Sequence, residues 1–579
     1  MAEPHMAARW LPILAWLPAY RRRTLAADLA ASTIVALLLI PQSIAYALLA
    51  GLPPQAGLYA STLPLLAYAV FGSGMTQSVG PAALGALMTA SALAPLVAAG
   101  RDPLASAALL AVLSGLMLAG CGLLGLGRIA YFLSRPVVSG FTSGTALLIA
   151  FGQLGPLLQI PLDGELVPGL TTALVRGLAH ADPAALAFGL GALLSVTLAA
   201  EGLPRLLRAL GCPPQPALWA GRLAPLAVLA ALSVVAAWAD GRYARIGALP
   251  PVTFALSLPP VRAADLAALW LPALLIGLVG FLQSITVAHS MALARGEQID
   301  PDQELLALGA ANVAAGAAGG MPVSGSLSRT AVNASAGART PLAGAFTALW
   351  IALAARWAGP WLAELPRAAL AATIIVAALK LVDWSLLRAT WQYDRRDTAA
   401  LIVTLLLTLG LGALPGIASG VLLSLALFIH RTSQAQVVIV GRLPGTEHFR
   451  NIDRFETETW PGLLLLRVDD SLYFGNTRAL AARVAGLLAT QPATHDVVLI
   501  LSGVASIDFS AAEGLAQLDE ALRQRGVRLH LAELKMGLRA RLVQSGLLDP
   551  LLQRVFLSAQ HAVAALTDPT PTPVDGAPR

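Results

Sequence analysis

Charge is what this sequence has least of. Only 12% of its 579 residues are Asp, Glu, Lys or Arg, about half the share usual in soluble proteins. That scarcity, with 57% apolar residues and a mean hydropathy of +0.71, excludes a water-soluble chain and indicates a polytopic membrane protein. Cysteine is nearly missing. Cys121 and Cys212 make neither a disulfide framework nor a metal cluster, so no metal or other cofactor is expected. No catalytic triad, P-loop or metal-ligand spacing is present, and an enzyme is the weakest reading. The net charge of +6 fits Arg-rich cytoplasmic loops better than a nucleic-acid partner.

The missing charge is unevenly missing. Residues 1–440 hold 41 charged side chains and the last 139 hold 29, so a soluble domain is expected to follow a membrane domain. Residues 29–100 contain no charge and no His. That is room for about three spans of ~20 residues. Further apolar segments lie near 104–124, 136–152, 184–200, 223–239, 267–294, 304–320, 326–338, 341–358, 366–381, 398–412 and 415–430, making fourteen. An even number places both termini on one side. The Arg-rich loops fall on that side, which the positive-inside rule makes cytoplasmic. Before the first span, Trp10 to Tyr20 is broken by Pro12 and Pro18 and followed by Arg21 to Arg23. It reads as an interfacial segment, with Trp10 and Trp16 at headgroup level, rather than as a signal peptide.

Against this apolar background one stretch stands out, GAAGGMPVSGSLSRTAVNASAGART from Gly316 to Thr340. Arg329 is the one ionisable residue between Glu304 and Arg339. A cation so deep in an apolar segment should face protein or a water-filled cavity. The small residues permit close backbone approach, and Ser324, Ser326 and Ser328 are available as helix N-caps. A half-helix starting near Ser326 would aim its free N–H groups and Arg329 into one anion-binding cavity. A tightly packed Ser/Gly-rich helix with a locally paired Arg329 is the alternative. A second break, Ser78 to Ala83, contains Gly80-Pro81, with Pro81 suited to a helix first turn. Alone it would read as a simple turn. The two breaks fall in the third and tenth segments, which correspond when fourteen are divided seven and seven. Matching interrupted helices point to a transporter site built from an inverted repeat.

These motifs resemble the sulfate permease (SulP) family. PQSIAYALLAGLPPQAGLYASTLPLLAYAVFGSGMTQSVGPAA, Pro41 to Ala83, is similar to its signature, MPVSGSLSRTAVN, Met321 to Asn333, to its tenth helix, and GFLQSITVAHSMA, Gly280 to Ala292, to its eighth. The resemblance implies fourteen helices in two inverted seven-helix repeats, forming core and gate domains with elevator-like movement, and a homodimer. It implies an anion site lined by Gln42, Tyr46, Pro81, Ala82, Leu327, Ser328 and Arg329. Gln42 and Tyr46 are four residues apart, share a helix face and offer uncharged donors, although packing alone would also place them there. Two helix N-termini and Arg329 would sum to about +2, enough for a dianion such as sulfate. Gln283 departs from the family pattern. Many bacterial and plant members carry glutamate there, tied to coupling with a cation such as H+ or Na+. Gln283 cannot titrate, and His289, six residues on, faces elsewhere.

From Leu463 short apolar runs alternate with helical, charged stretches. Strands are expected at 463–468, 497–501 and 527–531, and helices at 477–488, 511–524 and 537–546. SGVASIDFSAAEGL, Ser502 to Leu515, resembles the STAS domain that ends these proteins. In regulatory relatives a phosphorylated Ser follows the Asp. Here Phe509 separates Asp508 from Ser510, which argues against such a switch and leaves dimer contact and regulation, or binding of a partner or nucleotide. The expected division is a cytoplasmic segment 1–24, a transporter domain 25–435, a STAS domain 436–567 and a disordered tail 568–579. The functional expectation is a secondary anion transporter of the bacterial inner membrane, moving sulfate first. Another anion such as bicarbonate, chloride or a dicarboxylate, or an anion channel, are the alternatives.

Overall fold

The computed structural model describes residues 10–128, 134–162, 167–239, 242–247, 256–257, 259–567 and 572–573. It divides into two compact units between Ser424 and Leu425.

Among the described residues the first unit is helical, apart from one two-residue strand pair and an isolated bridge between Arg245 and Pro366. Eight described helices are long and apolar enough to cross a membrane: Arg22–Leu49, Pro103–Leu123, Arg135–Leu158, Pro183–Ala209, Pro216–Trp238, Ala263–Leu293, Arg367–Tyr393 and Ala413–Thr432. The other six apolar segments are also helical but shorter. The second is split into Pro54–Tyr59 and Leu63–Phe71, and the third and tenth are Ala83–Ala98 and Leu327–Ser335. The ninth, eleventh and thirteenth are Pro301–Ala317, Leu342–Trp357 and Arg395–Leu411. Length alone therefore understates the spans, because breaks shorten them where the chain needs non-helical backbone.

Packing sorts the segments into two sets. Segments one to four lie against eight to eleven, and five to seven lie against twelve and thirteen, with Gly420 of the fourteenth facing Val137 of the fifth. Contacts repeat across the halves. The first packs on the eleventh as the eighth packs on the fourth, and the first on the tenth as the eighth on the third. The sixth meets the twelfth as the thirteenth meets the fifth. This exchange of partners is what a seven-segment repeat produces. We call the two groups the core set and the gate set. Close approach in the core set rests on small residues. A Cβ added at Gly309, for instance, would meet the Gly115 carbonyl oxygen at 2.8 Å.

The N-terminal segment differs from expectation. Short helical turns, Ile13–Trp16 and Leu17–Ala19, precede the first long helix. Trp16 is buried and packs against Tyr20, with ring centroids 6.5 Å apart, so it is not a headgroup anchor. Trp10 is 46% exposed. Its carbonyl accepts from Gln303 Nε2 at 3.3 Å, so it too is tied to protein.

The second unit is an α/β domain. Leu463–Val468, Asp496–Ile500, Arg528–Ala532 and Val555–Phe556 run parallel, with Leu464 opposite Val497 and Val497 opposite Leu529. Val437–Arg442 adds antiparallel on the other side of Leu463–Val468. Helices Thr477–Thr490, Phe509–Gln524 and Met536–Ser545 bury Leu480, Leu515 and Leu538 in one core. Ala559–Leu566 contributes Ala562 and Val563 to a second core. The sequence reading locates the three central strands and three helices. It misses the short pairing strands, which are too brief to show a period. The expected tail lies outside the described residues except for Thr572–Pro573, which pairs with Glu458–Thr459.

Candidate functional site

The two breaks meet. Val79–Gly80 pairs antiparallel with Ser324–Gly325, Val79 opposite Gly325 and Gly80 opposite Ser324. Ser326 N donates to the Ser78 carbonyl at 3.2 Å, extending the ladder by one bond. Each strand leads directly into a half-helix, so the two helix N-termini start from one point and run apart. Gly325 is required there, because a Cβ would meet Gln77 Nε2 at 2.5 Å and Ser284 Oγ at 2.8 Å.

Side chains clamp the crossing from three sides. Asn312 donates to the Val323 carbonyl at 3.0 Å and accepts from Val323 N at 2.9 Å. Thr330 Oγ1 accepts from Ser78 N at 3.1 Å, and Asn333 Nδ2 donates to the Thr76 carbonyl at 2.9 Å. Gly325 N donates to Ser284 Oγ at 2.6 Å. Gln283 is half-buried beside Ser284. On this helix Ser284, one residue on from the coupling position singled out in sequence, is what reaches the crossing.

Neither half-helix is capped by a side chain. Ala82 and Ser326 occupy the N-cap positions, both extended and both without a capping hydrogen bond. Ser326 Oγ lies 3.2 Å from Ser328 Oγ instead, and Ser324 belongs to the strand. The first-turn N–H groups of both half-helices are thus left available, the condition for an anion at a helix start. Pro81 stands before the cap rather than in the first turn, and its carbonyl has a different use. Arg329 Nη1 donates to it at 2.7 Å, tying the second half-helix to the entry of the first.

Arg329 is 2% exposed, yet its Nε and Nη2 have no hydrogen-bond partner. A buried guanidinium that spends one nitrogen on a carbonyl and leaves two unpaired is an unusual cost. A Cβ at Gly80 would come within 3.4 Å of Nη2, so glycine keeps that side of the guanidinium uncovered. Tyr46 is buried and within electrostatic range of Arg329. Gln42, one turn earlier in the same helix, is half-buried. Ala82 is half-buried, Ser328 exposed and Leu327 58% exposed. Of the predicted site residues, then, Pro81, Arg329 and Tyr46 come together, with Ala82 and Ser328 at the two helix starts.

Two buried carboxylates escaped the sequence reading. Glu304 is fully buried and accepts from Tyr68 Oη at 2.9 Å, Ser73 N at 3.0 Å, Ser73 Oγ at 2.7 Å and Gly74 N at 3.0 Å. Asp28 is also fully buried and accepts from Tyr20 Oη at 3.2 Å, Arg339 N at 2.7 Å and Thr340 Oγ1 at 2.6 Å. The first holds the chain leading into one half-helix, and the second holds the chain leaving the other.

In the second unit Asp508 caps helix Phe509–Gln524, accepting from Ala511 N at 2.7 Å and from Phe474 N at 2.9 Å. Phe509 and Ser510 are exposed. Asp496, buried at a strand start, accepts from Arg528 at 2.8 Å, His530 at 2.7 Å and His495 at 2.9 Å. Burial pushes its carboxyl up, but those three donors outweigh burial and hold it below the ordinary carboxylate value. Burial also depresses the His530 imidazole, despite Asp496 beside it.

Comparison with known proteins matches residues 25–404 to the sulfate permease family model and residues 454–562 to the STAS domain model. A Mycobacterium tuberculosis protein named "Probable sulfate transporter" is 34% identical over 96% of this chain and 98% of its own length. "Sulfate transporter 4.1, chloroplastic" of Arabidopsis thaliana is 31% identical over 95% of this chain and 81% of its own. The murine Solute Carrier 26 family member A9 anion transporter, solved in the inward-facing state, superposes with a TM-score of 0.86 at 22% identity, over 98% of this chain and 95% of that one. The transmembrane domain of a cyanobacterial bicarbonate transporter gives 0.60 at 22% identity, over 70% of this chain and 98% of that one. Crossed half-helices, two helix sets and an α/β tail have the same explanation as these matches: the chain is a multi-pass membrane protein belonging to the sulfate permease family, with a C-terminal STAS domain.

Proposed function

We propose that this chain is a secondary transporter of small inorganic anions, with sulfate as its first substrate. The anion sits between the starts of half-helices Ala83–Ala98 and Leu327–Ser335. The observation that carries this reading is Arg329, buried with two unpaired nitrogens beside two uncapped helix N-termini. Gln42, Tyr46 and Ser328 supply neutral donors around it. Two helix starts and one guanidinium give about +2, matched to a dianion. The relatives' names support sulfate. Transport proceeds by sliding of the core set past the gate set, carrying the site across the bacterial inner membrane, with both termini cytoplasmic and two copies of the chain associated. Gln283 cannot carry a proton, so a pH gradient drives uptake weakly. Asp508 shapes the tail's regulatory rim as a helix cap, and Ser510 stands exposed beside it.

The test is uptake of labelled sulfate into proteoliposomes, with unlabelled sulfate, bicarbonate, chloride and dicarboxylates as competitors. Saturable uptake with counterflow, displaced best by sulfate, is expected. Unitary currents without counterflow would make the protein a channel, and stronger displacement by bicarbonate would change the substrate.

A further inference from the structure

Helix Pro214–Trp238 belongs to the gate set, and half-helix Leu327–Ser335 belongs to the core set. They meet through one polar contact. Arg222 Nη1 donates to Ser335 Oγ, the last residue of the half-helix. Arg222 also lies over the Trp219 ring, 5.5 Å from its centroid, which fixes the guanidinium on its own helix. Side-chain hydrogen bonds elsewhere in the membrane unit join residues of one helix set. Ser32 with Thr347 and Trp350 is internal to the core set, and Ser143 with Asp383 to the gate set.

The contact sits where a cation is favoured in one position only. The half-helix ends at Ser335 with its carbonyl-rich terminus, and Arg295 Nη1 already donates to the Ala338 carbonyl just beyond, at 3.2 Å. Arg295 travels with the core set. Arg222 does not. Any sliding of one set past the other carries Ser335 and the half-helix terminus away from Arg222, while Arg295 keeps its partner.

We propose that the Arg222–Ser335 contact is a latch between the two helix sets, holding the site-bearing half-helix in the position seen and released once per transport cycle. The proposal rests on the transport reading above. Removing the arginine leaves the helices and the anion site intact but loosens one state relative to the other. A single charge-assisted hydrogen bond at a half-exposed position is worth about a fivefold population shift.

The test is a reversible link. Arg222→Cys and Ser335→Cys are introduced together in a chain with Cys121→Ser and Cys212→Ser, and joined with a short, reducible bifunctional thiol reagent. A control pair, Arg295→Cys with Ala338→Cys, lies within the core set. Link formation is read by mass spectrometry and sulfate uptake in proteoliposomes. Uptake should fall to background when the 222/335 pair is linked, return on reduction, and survive linking of the control pair. Undiminished uptake with the 222/335 link complete would overturn the latch, as would equal loss in both pairs. If the unlinked chain takes up no anion, the transport reading fails first. The latch then stands or falls on whether saturating sulfate changes the linking rate of the 222/335 pair by about fivefold and leaves the control pair's rate alone.

Discussion

Arg329 and Glu304 are both buried in the core set and both charged, and the structure treats them in opposite ways. Glu304 accepts from a tyrosine hydroxyl, a serine hydroxyl and two backbone N–H groups. Arg329 makes one hydrogen bond and leaves Nε and Nη2 unpaired. A buried charge with its partners complete is part of the scaffold, and breaking it costs several kcal/mol. A buried guanidinium with two nitrogens unpaired is what the proposed anion site requires. That contrast, rather than burial alone, separates the strut from the site.

The largest effect should come from the strut. Glu304→Ala leaves four donors, two of them on buried residues, without an acceptor and should destabilise the chain by about 3 kcal/mol or more. In detergent it should melt early or fail to accumulate. Thermal melting followed by size-exclusion chromatography checks this, and a normally melting variant would break the comparison at its structural end.

At the other end, Arg329→Ala should leave melting nearly unchanged while uptake falls about tenfold or more, equivalent to about 1.4 kcal/mol. Arg329→Lys should restore part of it, since an ammonium keeps the charge but lacks the planar fork. Equal melting losses for Arg329→Ala and Glu304→Ala would make both residues struts.

Gln283 sharpens the contrast as a polar side chain with no charge to satisfy. Proteoliposomes at fixed membrane potential should respond weakly to an inward proton gradient, and Gln283→Glu should increase the response by supplying a carboxyl that can take up and release a proton. A strong response in the unaltered protein, unchanged by the substitution, would move coupling elsewhere.

The smallest effect concerns the soluble unit, where Asp496 is another buried carboxylate with several donors. Because burial depresses His530, the folded state binds fewer protons than the unfolded state below about pH 6.5. Stability should therefore fall as pH drops from neutral through the ordinary imidazole range. The further loss from Asp496 waits until pH falls below the ordinary carboxylate range, toward its depressed value. Denaturant melts of residues 425–579 against pH check this, and His530→Gln should flatten the upper slope.

Much of this arrangement was legible in sequence. The two breaks announced themselves because Gly, Pro and Ser interrupt runs that are otherwise apolar, and Arg329 because nothing near it is charged. The carboxylates were not legible. Glu304 sits in a helix first turn, where an acid is ordinary, and its partners Tyr68 and Ser73 are 236 and 231 residues away. Asp28 answers Arg339 and Thr340 across 311 and 312 residues. Ser284 carries no signal in sequence, because a lone serine in an apolar helix is ordinary, yet the crossing needs its hydroxyl to accept from Gly325 N. Pro81 reads in sequence as a first-turn residue, and only the fold shows that it precedes the cap and that its carbonyl serves Arg329.

The most direct measurement is sulfate-dependent thermal stabilisation of the purified protein, compared between the unaltered chain and Arg329→Ala. A ligand that binds only the folded state raises its stability with concentration. The unaltered chain should gain stability progressively with sulfate. Arg329→Ala should start from a similar melting temperature without sulfate and gain little. An equal sulfate-dependent gain in both would contradict the assignment of the unpaired guanidinium as the seat of the anion.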